Sequence, residues 1–573
     1  MIIICLDWLY IFATCYITGH AILCRVKSTP GYSYPCLFEL MTGFAFVTAY
    51  SGYFSVFCKV GLAANILLVV LCIVGLIVDK DHYLTLSGKI IKGFKARVHI
   101  PFIIVSFVAF FAIVFMTCYG MFHSDSGLYH AQSIRWIEEY GVVKGLALVQ
   151  NRFGYNSAFF SVSALYGFSF LGQSLHGVNG FMAFVVTGHA LYRIILAVND
   201  KKPGRLSAIV SLAPVIYTVI GGIELISPTT DPILLYLVFG IMICWCELID
   251  KRVSQPMPYA VLCVLTVFLV SVKLSVGVLV LLTIHPAVRL VKEKKYGTVF
   301  KCVITGFLSI LPYFIRNVII SGWLIYPFTA IDLFNVPWKL PLESARHDAD
   351  EITTWARYVR DASKIDQSVF EWAPVWWNGQ TNIDRFFSGA AIVSLIIGIV
   401  WCVSVIIRLM KNKSGNKEGI LGQLVFVEVV LIMGFLFWFF SAPLIRYGYL
   451  YLLMMPLLTA AVIINDMGTG RIIKCTVAAL FACILIYPVT FLLIEDIQYI
   501  HHNWSRAYAV RQKDYPEASV KEREFCGVTF YYPEEPGTPV WYDAFPSVLY
   551  EDNFSFMEPV DGTVKGGFKI SGK

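Results

Sequence analysis

The sequence predicts an all-α polytopic membrane protein, and three observations carry that reading. Apolar residues make up 57% of the 573 positions and charged residues only 14%, where a soluble chain carries about 25% charged residues. Mean hydropathy is +0.69 over the whole length. Basic residues fall in short stretches between apolar runs, which is how a multi-pass protein sets its orientation. This composition excludes an ordinary soluble enzyme and a disordered scaffold. Lys+Arg exceed Asp+Glu, 45 against 38, for a net charge of +7. That excess follows the loops rather than one patch, so the partner it implies is a lipid bilayer and not nucleic acid. The 15 Cys include no CxxC pair, so neither a zinc site nor a disulfide framework is signalled. Most sit inside apolar runs, as small apolar fillers do.

A helix needs about 20 apolar residues to cross a bilayer, and on that measure the chain has about 14 spans. They run at 2–23, 37–57, 61–78, 101–120, 177–197, 206–223, 232–248, 258–272, 274–288, 301–320, 389–408, 421–440, 446–465 and 474–493. The first run lacks a basic leader and a small-residue cleavage site, so it is expected to stay as a span. Lys80 to Arg97, Lys201 to Arg205, Lys251 with Arg252, Arg289 to Lys295, and Arg408 to Lys417 mark cytoplasmic loops. Successive cytoplasmic loops need an even number of crossings between them. The run 158–171, short and carrying Ser161, Ser163 and Ser169, is therefore laid along the interface as an amphipathic helix. The stretch 258–288 goes out and back as two short helices that turn near Lys273. A transmembrane domain over 1–493 results. Its large non-cytoplasmic loops are 121–176, with interfacial helices, and 322–388. Residues 494–573, rich in Pro, Tyr and Glu, form a small, partly extended non-cytoplasmic tail or cap.

The chemistry gathers on that side. Asp125 follows a span at headgroup depth, in Met121-Phe-His-Ser-Asp-Ser-Gly-Leu-Tyr-His130. A helix from there places Asp125, Tyr129, Gln132 and Trp136 on one face, with Leu128, Ala131, Ile134 and Ile137 on the other. Asp125 is either the helix N-cap or a reactive acid. Glu224 and Asp231 flank Ser227-Pro228, Lys273 sits at a turn, Arg316 ends a span, and Arg446 follows Ser441-Ala-Pro443. His123, Asp332, Asp384 and Arg385 are further candidates. Ionisable residues at membrane depth signal function, although Lys273, Arg316 and Arg446 alternatively reach for headgroups. One acid and several cations at one depth suit transfer of a sugar from a lipid phosphate. A base takes the acceptor's proton, and cations stabilise the departing phosphate. Asp125 is the candidate base. His123, Tyr129, Glu224, Asp231, Lys273, Arg316 and Arg446 are the candidate substrate-binding residues.

Several stretches carry a family likeness. They are His123-Ser-Asp-Ser-Gly-Leu-Tyr-His130, Ile134-Arg-Trp-Ile-Glu-Glu-Tyr-Gly141, Asn151-Arg-Phe-Gly-Tyr-Asn156, Ser227-Pro-Thr-Thr-Asp231, Val272-Lys-Leu-Ser275, Arg316 to Pro327, Val336 to Pro341, and Ser441 to Gly448. Together they resemble the GT-C superfamily of polyprenyl-phosphate-dependent glycosyltransferases, and among them a group of bacterial multi-pass proteins. The resemblance implies a GT-C-like bundle in the bacterial inner (cytoplasmic) membrane. It implies transfer with inversion on the non-cytoplasmic face, from a polyprenyl-phosphate sugar donor to a lipid, glycan or protein acceptor, with Asp125 as catalytic acid or base. Many members pair two acids in the first loop, whereas Asp125 stands between Ser124 and Ser126. The Pro-Arg-Phe-like turn of relatives reads Pro443-Leu-Ile-Arg446. A lone acid signals no metal, and Asp231 or Glu224 is the available second ligand if a divalent cation is used.

Two other classes are weighed. A surface-polysaccharide polymerase or ligase relies on basic residues in its large loop, whereas this loop opens on an acid. A transporter or flippase shows repeats and midplane sites; no repeat is found, and only the two short helices at 258–288 suit it. Trp372, Trp376 and Trp377 either stack on a sugar or anchor their loop at the headgroups. His501 and His502 read as exposed interfacial side chains, and Arg135 and Arg152 as contacts to lipid phosphate or headgroups.

Overall fold

The computed structural model describes residues 1–26, 32–86, 100–199, 205–411, 416–466, 492–503, 509–525 and 527–572, with 486 and 490. Among them, eleven helices are long and apolar enough to cross a membrane. A twelfth crossing is reached if Leu62–Val78 and Lys80–Leu86, bent by 83°, count as one. The hydropathy count is higher for three reasons. The run at 61–78 ends in that bend. The run at 258–272 forms a helix of 17 residues, Pro256–Val272, short for a full crossing. The run at 474–493 lies almost wholly outside the described residues.

Local chemistry explains how the bundle closes. The helices Ile2–Leu23 and Cys36–Phe57 cross with their backbones touching. A Cβ on Gly43 would land on the Cys15 carbonyl, so small residues permit the approach. Thr230–Asp250 is apolar all round and its apolar stretch is wholly buried, as expected of a central helix. Pro312 sits inside the helix Tyr296–Ser321 and leaves the Leu308 carbonyl without its usual donor. The Tyr53 hydroxyl supplies one at 2.8 Å. Around this core, apolar side chains such as Ile66, Phe107, Val303 and Val400 stand exposed, which is a surface suited to lipid.

The loop 121–176 departs from its expected form. The helix Ala158–Tyr166 has nine residues, and Phe159 to Tyr166 are all buried. It is not amphipathic. It lies between the helices Cys36–Phe57 and Ala131–Glu139, and its Ser161 hydroxyl meets that of Ser51 at 3.0 Å instead of water. The helix Ala131–Glu139 is covered on both faces. Ile134 and Ile137 pack into the bundle, while Trp136 packs with Phe568 and Phe530 of the C-terminal segment.

That segment folds as a small cap over this loop. Val520–Phe525 pairs with Val528–Pro533, and Met557–Pro559 with Phe568–Ile570, both antiparallel. The amides of Val540 and Trp541 both donate to the Gly127 carbonyl at 3.0 Å. A side chain at Gly127 would strike Pro539 and Trp541. Gln132 and Arg135 donate to the carbonyls of Trp541 and Tyr542, each at 2.7 Å. Arg135 therefore holds the cap rather than a headgroup. In the loop 322–388, Trp372 and Trp376 are buried against Phe439, not laid at an interface or open to a sugar; Trp377 is the more exposed neighbour. His501 and His502 are exposed.

Candidate functional site

Asp125 is positioned from three sides. The span Ile100–Tyr119 delivers the chain to the cap end of the bundle. There the Met121 amide donates to the Ile223 carbonyl at 2.7 Å, and the His123 amide to Ser227 Oγ at 2.7 Å. Asn179 in turn donates to the carbonyls of Ser227 and Thr229. The chain then enters a wide π-type turn, Ser126–His130, before the helix Ala131–Glu139. Such turns recur at functional sites. Asp125 makes no side-chain cap bond to this turn. Its Oδ2 instead accepts from Arg446 Nη2 at 2.6 Å.

Arg446 begins a chain of alternating charge. Its Nε lies 3.6 Å from Asp231 Oδ2, and Asp231 Oδ1 pairs with Lys273. Lys273 Nζ stands 3.6 Å over the Tyr447 ring, a favourable place for a cation. Two acids and two cations balance, so each half-buried charge is compensated. Arg446 Nη1 also lies 2.6 Å from His123 Nε2, while the Asp125 amide donates to His123 Nδ1 at 3.1 Å. A neutral imidazole accepts at one nitrogen only, so these two donors compete for it. Burial raises the Asp125 carboxyl, but the Arg446 guanidinium bonded to it outweighs that and holds the group well below the usual carboxylate range. Burial takes His130 the other way, down to about 3, so its imidazole is neutral.

The charged chain borders a cleft of about 360 Å³ lined by Tyr129, Lys273, Tyr447, Tyr155, Tyr326 and Trp438, among others. Lys273 belongs to both, and the Tyr447 ring beneath it lines the cleft. Its aromatic wall is set by Asp348, a buried carboxylate that accepts from Asn151 Nδ2 at 2.8 Å and from the hydroxyls of Tyr155 and Tyr326 at 3.0 Å each. Burial raises the Asp348 carboxyl, and the two tyrosine hydroxyls act against that.

The structure thus brings together Asp125, His123, Tyr129, Asp231, Lys273 and Arg446. It does not bring Arg316 or Glu224 into this chain. Arg316 is 4% exposed, donating to Asn156 Oδ1 at 2.9 Å and Ser55 Oγ at 2.6 Å, so it braces helices. It neither reaches the cleft nor snorkels. Glu224 makes no side-chain hydrogen bond or ion pair among the described residues. Asp332 pairs with Lys339, Asp384 accepts from Tyr449 at 2.8 Å, and Arg385 holds the carbonyls of Trp377 and Asn378. Sequence reasoning missed Tyr447, Asp348, Tyr155 and Tyr326. Tyr447 stands beside Arg446, and Tyr155 and Tyr326 fall in stretches that carry the family likeness; Asp348 carried no signal.

Among the described residues, no group of three or more His, Cys, Asp or Glu is placed to hold a metal ion. Asp125 and Asp231, the nearest acids to one another through Arg446, are both engaged by cations. The family described as Domain of unknown function (DUF8201) matches residues 1–453 of the chain. That range contains every member of the charged chain and ends before the cap. No curated protein matches the sequence.

Proposed function

The chain belongs to this family of unknown function, and from the geometry of the cleft we propose that it is a membrane glycosyltransferase. It moves a sugar from a polyprenyl-phosphate donor to a lipid, glycan or protein acceptor on the non-cytoplasmic face. The observation that carries the reading is the Asp125–Arg446–Asp231–Lys273 chain beside an aromatic, largely apolar cleft.

In this reading the donor phosphate takes the place that the two aspartates hold around Arg446 and Lys273. Both cations then face the leaving group, and Asp125 loses its counter-ion. The acceptor hydroxyl attacks the anomeric carbon from the face opposite the phosphate. Its proton passes to Asp125, the bond from the anomeric carbon to the phosphate oxygen breaks, and the electron pair leaves with the lipid phosphate. Arg446 and Lys273 stabilise that charge in a partly dehydrated site, where such contacts are strongest. Tyr129 offers its ring and hydroxyl to the sugar, Tyr155 and Tyr326 offer their rings while their hydroxyls hold Asp348, and the apolar wall suits the first isoprene units.

The test is sugar transfer by purified protein in detergent, wild type beside Asp125→Asn, with pooled polyprenyl-phosphate sugars and mass spectrometry of the products. A wild-type product lost in a folded Asp125→Asn protein supports the reading. Equal product from both removes Asp125 from the chemistry.

A further inference from the structure

A second cavity lies at the opposite end of the bundle. The helix Pro256–Val272 runs from its rim to Lys273, so about 25 Å separates it from the cleft at 1.5 Å per residue. It measures about 800 Å³. One side carries Arg252, Arg289, His285 and Gln423; the other is apolar, with Ile284, Val288 and Phe426. No acidic side chain is among the residues lining it.

The polar side is a set of unsatisfied donors. Arg252 is exposed, and its side chain makes no hydrogen bond or ion pair among the described residues; its amide alone is engaged, donating to the Ile249 carbonyl at 2.9 Å. Arg289 spends one nitrogen on the Ser254 carbonyl, which leaves the rest of its fork free. His285 Nε2 meets Gln423 at 3.1 Å, but its buried Nδ1 has no partner. Lys292 and Lys294 stand exposed at the same end. Two guanidinium groups without a carboxylate call for an anion with several oxygens, and phosphate fits their planar fork best. The apolar side continues outward through Ile284 and Val288, 48% and 45% exposed, so an attached chain would find cover there.

We propose that this cavity is a second anion site that takes a phosphate-bearing group on Arg252 and Arg289, with room for an acyl chain along Ile284 and Val288. It is independent of the transfer reaction. The ligand's phosphate is either that of an anionic lipid headgroup or that of a small soluble phosphate.

The test uses delipidated full-length protein in detergent, titrated separately with short-chain phosphatidylglycerol, phosphatidylcholine and inorganic phosphate, with thermal stability as readout. The expected result is saturable stabilisation by phosphatidylglycerol and not by phosphatidylcholine, with apparent affinity lowered about tenfold or more in Arg252→Gln. The Arg252 side chain has no partner to lose among the described residues, and the amide bond to Ile249 survives the change, so this variant keeps its fold. Arg289→Lys, which retains a donor for Ser254, is expected to weaken binding less. Equal stabilisation by inorganic phosphate assigns the site to a soluble phosphate. Stabilisation by phosphatidylcholine to the same degree, no stabilisation by any probe, or full affinity in Arg252→Gln overturns the proposal.

Discussion

Asp125 Oδ2 and Arg446 Nη2 lie 2.6 Å apart across 321 residues of chain. One follows the span Ile100–Tyr119 and the other opens the helix Ile445–Asp466. This pair makes the proposed reaction testable by a split between two variants. Asp125→Asn keeps the shape of the acid but removes its basicity. Its kcat is expected to fall by about 10²–10⁴, with the donor KM nearly unchanged. Arg446→Gln is expected to raise the donor KM as well as lower kcat by about 10²–10³. Steady-state kinetics with varied donor distinguish them, and a KM effect confined to Asp125→Asn would reverse the assigned roles.

The same pair sets a pH dependence. Burial raises the Asp125 carboxyl, while the Arg446 guanidinium lowers it further than burial lifts it. The folded value lies below the unfolded one. The ion pair therefore contributes stability above the ordinary carboxylate range, and this is lost as pH falls through the folded value. Arg446→Gln leaves burial with less opposition, so the acid limb of the activity profile should move to higher pH. A profile of residual activity between about pH 4 and 8 checks it; an unmoved acid limb would show that Asp125 does not set it.

Much of the framework was legible because hydrophobic periodicity and length dictate it. Eleven helices stand where apolar runs stood, and an acid just beyond a span marked Asp125. The pairing of Asp125 with Arg446 was not legible, since no local pattern reports a contact across 321 residues. Asp348 lies in the polar helix Leu342–Ala356 and reads as a solvated acid; only the fold sets two tyrosine hydroxyls on it. The serines of the run 158–171 suggest a wet face, whereas Ser161 bonds to Ser51 inside the bundle. Arg316 shows a related limit. Near the end of a span it reads as a phosphate-binding candidate or as a side chain reaching for headgroups, and only the fold shows it donating to Asn156 and Ser55.

That brace predicts a separation between stability and substrate binding. Arg316→Met removes the donor shared by Asn156 Oδ1 and Ser55 Oγ. Buried acceptors left in this way cost about 1–3 kcal/mol. The expected outcome is a lowered Tm with the donor KM of the remaining folded enzyme unchanged. A raised KM at unchanged Tm would return Arg316 to the phosphate-binding set.

Glu138 predicts how the cap is held. Its side chain accepts from the Tyr542 hydroxyl of the cap and from Ser174 Oγ at 3.4 Å. Burial raises its carboxyl to about 8, outweighing the bonds from Tyr542, Ser169 and Ser174. The folded value is above the unfolded one, the reverse of Asp125. The stability this group contributes is fully present below the ordinary glutamate value and is lost as pH rises toward about 8, because the buried site must then accept a charge. The cap should therefore loosen on the alkaline side. Limited proteolysis within 509–572 is expected to speed up in the wild type between about pH 6 and 9, after correction for the protease's own pH profile. Glu138→Gln stays neutral and still accepts from Tyr542, so its cleavage should stay flat over that range. Equal acceleration in both proteins would detach the effect from Glu138 and leave cap docking to the carbonyl bonds of Gln132 and Arg135.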